Sequence, residues 1–115
     1  MKKIAWINLL VGVWLIMAPF ALGYSAVSQA ATGNDIVLGI LLIAFAWWAL
    51  AALLPPVGVG WFQVFCGIWL IAAPYLFAYH TGGAGAGNDL VCGIIAIVVG
   101  LIESRAIAQT PRAVA

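Results

Sequence analysis

Three stretches of the chain, Ile4 to Leu22, Ile36 to Leu54 and Val57 to Tyr79, contain no Asp, Glu, Lys or Arg. Each reaches the roughly 18 residues at which an apolar run is long enough to cross the ~30 Å hydrocarbon core of a bilayer as a helix. A fourth run, Leu90 to Ile102, is shorter. To span, it has to extend back through Asn88 and Asp89 and forward past Glu103, whose side chain is expected to reach the interface. With 67% hydrophobic and 6% charged residues and a mean hydropathy of +1.22, there is too little polar surface to clothe a water-soluble globule, in which about a quarter of residues are charged. Lipid is the solvent this composition fits.

Lys2 and Lys3 ahead of an apolar run, with Ser28-Gln29-Ala30 behind it, have the outline of a secretory leader. The run is long for a leader core and recurs in mid-chain, so it reads as a span. A net charge of +1 offers no basic patch, which excludes nucleic acid as a partner. Cys66 and Cys92 have no metal-ligand spacing and read as small, buried, free apolar residues. Each a few residues into its helix, Cys66 in one running outward and Cys92 in one running inward, they are expected to differ in depth by about 10 to 15 Å at 1.5 Å per residue.

The recurrence is an internal repeat. An offset of 55 residues lays Trp6 on Trp61, Gly12 on Gly67, Trp14-Leu15-Ile16 on Trp69-Leu70-Ile71 and Ala18-Pro19 on Ala73-Pro74. With one loop residue dropped, Gly33-Asn34-Asp35 falls on Gly87-Asn88-Asp89 and Gly39-Ile40 on Gly93-Ile94. Apolar bias alone does not align Trp, Pro, Asn and Asp. Each copy is one helical hairpin, and an even number of spans between copies gives them the same orientation, related by an axis along the membrane normal. The expected fold is all-α: an integral membrane four-helix bundle built from two tandem parallel hairpins. The first hairpin covers 1–54, the second 55–106, and 107–115 is a tail.

A Trp-rich helix with Gly-x-Trp-Leu-Ile, a small-Pro-aromatic triplet, a short loop and then Asn-Asp opening a second helix resembles the SPW-repeat membrane proteins of prokaryotes. The resemblance runs from Trp6 to about Ile102. Ala18-Pro19-Phe20 and Ala73-Pro74-Tyr75 stand where the name-giving Ser-Pro-Trp would be. The resemblance implies the fold and a multi-pass place in a prokaryotic plasma membrane, and it brings no activity with it.

Lys2, Lys3, Arg105 and Arg112 all lie outside the helix array, so the positive-inside rule puts both termini in the cytoplasm. The hairpin loops at Tyr24 to Gly33 and Tyr79 to Gly87 then face outward, with Trp6, Trp61, Tyr24 and Tyr79 near the interfaces. At 100° per residue, Asn8, Gly12, Pro19 and Gly23 share one face of the first helix, and Gln63, Gly67, Pro74 and Ala78 share that of the third. Asp35, Gly39, Leu42 and Ala46 form the matching stripe on the second, and Asp89, Gly93, Ala96 and Gly100 that on the fourth. These are close-packing faces, where small residues let backbones approach and Asn8 and Gln63 act as interhelical hydrogen-bond glue. Trp14 and Trp69 point off the small face, toward lipid or a partner.

The Asn34-Asp35 and Asn88-Asp89 pairs, each at the expected outer start of a helix, read as caps: Asn accepts first-turn N–H groups and Asp complements the helix dipole. The competing reading is a proton or cation site formed by two acids at equal depth. His80 reads as an interfacial loop residue rather than a haem ligand. With no nucleophile–base pair, phosphate loop or metal set, an enzyme is not expected, nor a cofactor. The expected role is a non-catalytic accessory or scaffolding subunit that packs against other membrane subunits or against itself. The alternative is a small oligomeric transporter or channel using Asp35 and Asp89.

Overall fold

A computed structural model describes residues 4–23, 29–52, 55–56, 58–76 and 83–109, with side chains in the last stretch from Ala86 onward. Tyr24, Tyr79, His80 and the terminal basic residues Lys2, Lys3 and Arg112 lie outside the described residues, as does the chain beyond Gln109. Four helices follow in order: α1 Ala5–Ala21, α2 Gln29–Ala51, α3 Gly58–Leu76 and α4 Gly83–Gln109. In lipid each backbone N–H and C=O must be satisfied within its own segment, which leaves an uninterrupted apolar chain little choice but helix.

Local chemistry sets the ends. Pro19 and Pro74 occupy the same place in the repeat, two residues before α1 and α3 stop, where a missing N–H and a clashing ring discourage further turns. The Leu22 N–H closes on the Ala18 carbonyl at 2.8 Å, and Gly23 follows at φ +85°, the left-handed conformation that ends a helix without a Cβ penalty. Gly23 therefore terminates α1 and is exposed, rather than belonging to its packing face.

Helices α2, α3 and α4 are long and apolar enough to cross a membrane, with 23, 19 and 24 residues in their candidate spans. It is α1, at 17 residues, that is the short one, at the lower limit of the usual range of roughly 17 to 25. The helix α4 is long because it starts at Gly83, upstream of Asn88-Asp89, and continues past Glu103 to Gln109. Ile107 is buried in a cluster with Ala5, Ala46, Ala49 and Val59, so packing continues beyond the expected tail boundary at 107.

Packing is most intimate within each hairpin, α1 on α2 and α3 on α4, with looser contacts joining α2 to α3 and α1 to α4. Glycine sets the close approach. A Cβ on Gly12 would lie 2.7 Å from the Gly39 carbonyl oxygen, and one on Gly39 2.6 Å from that of Gly12. Gly67 and Gly93 repeat the arrangement at 2.6 and 2.7 Å. The second hairpin adds another such contact between Gly60 and Gly100, where the first has Ala5 and Ala46. Between the hairpins, Leu15, Leu42, Leu70 and Ala96 fill the core, and Phe45 of α2 stacks on Phe62 of α3 with ring centroids 5.0 Å apart.

The two cysteines are free and buried in the same cluster, but their expected separation in depth is not found. They immediately precede Gly67 and Gly93, which touch, so the thiols lie level with one another. The sequence reading began α4 near Asn88, whereas the true start at Gly83 puts Cys92 in mid-span.

Candidate functional site

Two polar layers cross the apolar core, one toward the hairpin-loop end and one toward the end that carries the termini. In the loop-end layer the indole N–H of Trp14 donates to Oδ1 of Asn88 at 2.7 Å. The indole N–H of Trp69 donates to Oδ1 of Asn34 at 2.6 Å. These bonds are copies of one another under the repeat, and each runs from the first helix of one hairpin to the second helix of the other. The tandem copies are thus bound reciprocally. Beside them Asp35 and Asp89 are wholly buried, Asn34 approaches the Asp35 carboxylate at 3.5 Å, and the Cys92 thiol lies 3.7 Å from Asn88 Oδ1.

This geometry corrects two expectations. The Asn-Asp pairs are not helix caps, because α2 begins at Gln29 and α4 at Gly83, placing both pairs a full turn or more inside their helices. There the backbone N–H groups already have helical partners, so the Asn oxygens are available to tryptophan. Nor do Trp14 and Trp69 simply face outward: Trp14 keeps 39% of its surface exposed while its N–H turns inward. A tryptophan in lipid gains by burying its one donor in a hydrogen bond while its ring stays in apolar surroundings. Removing the indole donor by Trp14→Phe or Trp69→Phe should cost about 0.6 kcal/mol each, with about 1.7 as the upper bound for such bonds in membranes. Thermal melts in detergent should show the pair Trp14→Phe with Asn88→Leu costing less than the sum of the singles, and strict additivity would mean that the bond contributes nothing.

In the termini-end layer, Asn8 Nδ2 donates to Gln63 Oε1 at 2.7 Å and, more weakly, to the Ala96 carbonyl at 3.4 Å. Gln63 Nε2 in turn donates to Glu103 Oε1 at 2.8 Å and to the Val59 carbonyl at 3.1 Å. Asn8 and Gln63 occupy equivalent positions in the two copies, so this bond too joins hairpin to hairpin. Glu103 is the residue the sequence reading misplaced: it is 3% exposed and turns into the bundle. The Gln63 amide captures it, and α4 continues for six residues beyond it, so its carboxyl is short of the helix end. The repeat contains a signal for this, since Glu103 aligns with Ala49, a buried core position of the first copy.

The remaining candidate positions act in packing. Gly12, Gly39, Gly67, Gly93 and Gly100 line the helix contacts, and Pro19 and Pro74 are buried against neighbours. Two open-sided apolar grooves flank the loop-end layer: about 470 Å³ between α2 and α3 over Trp69 and Asn34, and about 390 Å³ between α1 and α4 over Trp14 and Asn88. Among the described residues no group of three or more His, Cys, Asp or Glu side chains converges on a point.

The fold and these layers define a class: an integral membrane protein made of two tandem helical hairpins bridged through their polar interiors. The SPW repeat domain matches residues 2–103, and the chain belongs to the SPW repeat family. No curated protein and no solved structure matches it.

Proposed function

We propose that the chain is a non-catalytic membrane subunit whose two hairpins form one cohesive unit and which acts through its flanks, packing against other membrane subunits or against copies of itself. One observation carries this reading. The conspicuous polar side chains within the membrane, Asn8, Gln63, Asn34 and Asn88, are engaged in tying one hairpin to the other, while the outer faces present Phe20, Trp47, Phe65 and Tyr75 well exposed. Polar groups used for internal cohesion line no path for a solute, and broad aromatic flanks suit helix–helix contact in lipid. Lys2, Lys3 and Arg112 beyond the helices, with Arg105 exposed in the last turns of α4, favour cytoplasmic termini, a placement that a reporter fused after Ala115 would test.

A second reading has its own support: Asp35 and Asp89, one from each copy, are both wholly buried, and intramembrane acids mark ion or proton paths in many transporters. Purification in mild detergent separates the two. Stoichiometric co-elution with other membrane subunits, or a homo-oligomer whose proteoliposomes carry no flux, is the expected result. Proteoliposomes of the chain alone showing a proton or cation flux that Asp35→Asn and Asp89→Asn abolish would replace the first reading with the second.

A further inference from the structure

The second hairpin carries a group of side chains with no counterpart in the first. Glu103, Ser104 and Gly60 stand where the first copy has Ala49, Leu50 and Ala5, so the fold common to both copies does not require them. Glu103 and Ser104 are 3% and 4% exposed. One oxygen of the Glu103 carboxyl accepts the Gln63 amide N–H at 2.8 Å; the other, Oε2, is buried with no hydrogen-bond partner among the described residues, and so are Ser104 Oγ and Asn8 Oδ1. The amide donors point one way: Asn8 donates to Gln63 and Gln63 to Glu103. The string of bonds that begins on α1 therefore ends on this carboxyl.

No basic or other titratable side chain faces Glu103 among the described residues. At its level α1, α2 and α3 contribute Asn8, Ala46, Ala49, Val59 and Gln63, none of which titrates. On α4 itself Arg105 is exposed, and Asp89 is fourteen residues away, roughly 21 Å along the axis. A bare carboxylate in such surroundings is unfavourable unless something neutralises it, and the least bulky neutraliser is a proton. An opening lies beside the site. Ser104, the neighbouring residue, lines a groove of about 440 Å³ with Trp61, Arg105 and Ala108 between the start of α3 and the end of α4.

We propose that Glu103 is a proton-binding site inside the membrane bundle, holding one exchangeable proton on Oε2, with Gln63 as its positioning residue and the Ser104 groove as its exchange path. The site belongs to the second hairpin alone and is distinct from the Asp35 and Asp89 layer. Its ligand is a proton and not a metal cation.

Dicyclohexylcarbodiimide, a membrane-permeant reagent, tests this on the intact chain. The reagent takes the proton of a carboxylic acid onto its nitrogen, and the resulting carboxylate oxygen adds to its central carbon. Modification therefore requires the protonated acid in an apolar place. The expected result is a single adduct mapped to Glu103 by peptide mass at neutral pH, diminishing as pH rises and unchanged when sodium or lithium replaces potassium at constant ionic strength. Glu103→Gln should abolish the adduct, and Gln63→Leu should move the pH profile of labelling on a chain that still elutes as a folded species. Because the wild-type profile needs no variant, a misfolded mutant leaves the test intact. No adduct at Glu103 at any pH would overturn the proposal, and selective protection by sodium or lithium would overturn it in favour of a metal-cation site.

Discussion

Replacing Gly67 with valine is expected to force α3 and α4 apart and to destabilise the bundle strongly. A Cβ at this position meets the Gly93 carbonyl oxygen and Ile97 Cγ1, both at 2.6 Å, and the Ile97 backbone nitrogen at 3.0 Å. Backbone atoms cannot swing aside as a side chain can, so the helices have to separate. Separation also undoes the reciprocal approach, in which a Cβ on Gly93 would lie 2.7 Å from the Gly67 carbonyl oxygen. Overpacking of this kind costs about 1–3 kcal/mol and occasionally more; with two γ-methyls added against backbone, the upper end is expected. Gly12→Val should behave alike, because its Cβ would meet Gly39 and Ile43 in the same geometry.

The control uses glycines of the partner helices α2 and α4 that have open space where a side chain would go. A Cβ on Gly33 or Gly87 has no neighbour within 4 Å, so Gly33→Ala and Gly87→Ala should be neutral or stabilising by about 0.5–1 kcal/mol, the backbone entropy that alanine saves in a helix. Detergent melting temperatures for the four variants decide it. If Gly67→Val and Gly87→Ala melt together, close backbone approach is not what holds the hairpins.

Gln63→Leu is expected to have the other large effect, by a different mechanism. Leucine fills much the same volume, so no large cavity forms. What is lost is the side chain that hydrogen-bonds to Asn8 and Glu103 together. A group left unpaired in the core costs about 1–3 kcal/mol and a charged one more, and this change leaves both Asn8 and Glu103 without their Gln63 partner. A loss of about 3 kcal/mol or more is therefore expected for the single change. The double variant Gln63→Leu with Glu103→Leu removes donor and acceptor together and should recover part of that loss, because matched apolar groups need no partner. A double variant no more stable than Gln63→Leu would mean that the Gln63–Glu103 bond carries no coupling.

Much of the architecture was already written in the chain. The charge-free runs require helices in lipid because nothing else there satisfies the backbone, and the paired Trp, Gly, Pro and Asn-Asp positions reveal two equivalent hairpins before any coordinate is known. Periodicity of 100° per residue likewise places Gly12, Gly39, Gly67 and Gly93 on single faces, since that angle is a property of one helix alone. Helix ends were harder to read. Gly83 to Gly87 reads as loop in a sequence, because glycine is a poor helix former in water. In the structure these residues are helical, and with α4 starting there Asn88-Asp89 moves from a cap to a buried layer.

By itself, then, the sequence determined the solvent, the number of helices and the identity of the two copies, all of which depend on properties that act within a segment. Only the tertiary structure decided what each polar side chain bonds to. Trp14 with Asn88, Trp69 with Asn34 and Asn8 with Gln63 are partnerships between hairpins, separated in the chain by 35 to 74 residues, and Gln63 with Glu103 joins the two helices of the second hairpin. A hydrogen bond acts over about 3 Å, and which groups come that close depends on how two helical surfaces rotate and slide to fit their glycines together. No local rule along the chain contains that fit, which is why Glu103 reads as an interfacial acid in the sequence and lies buried in the bundle.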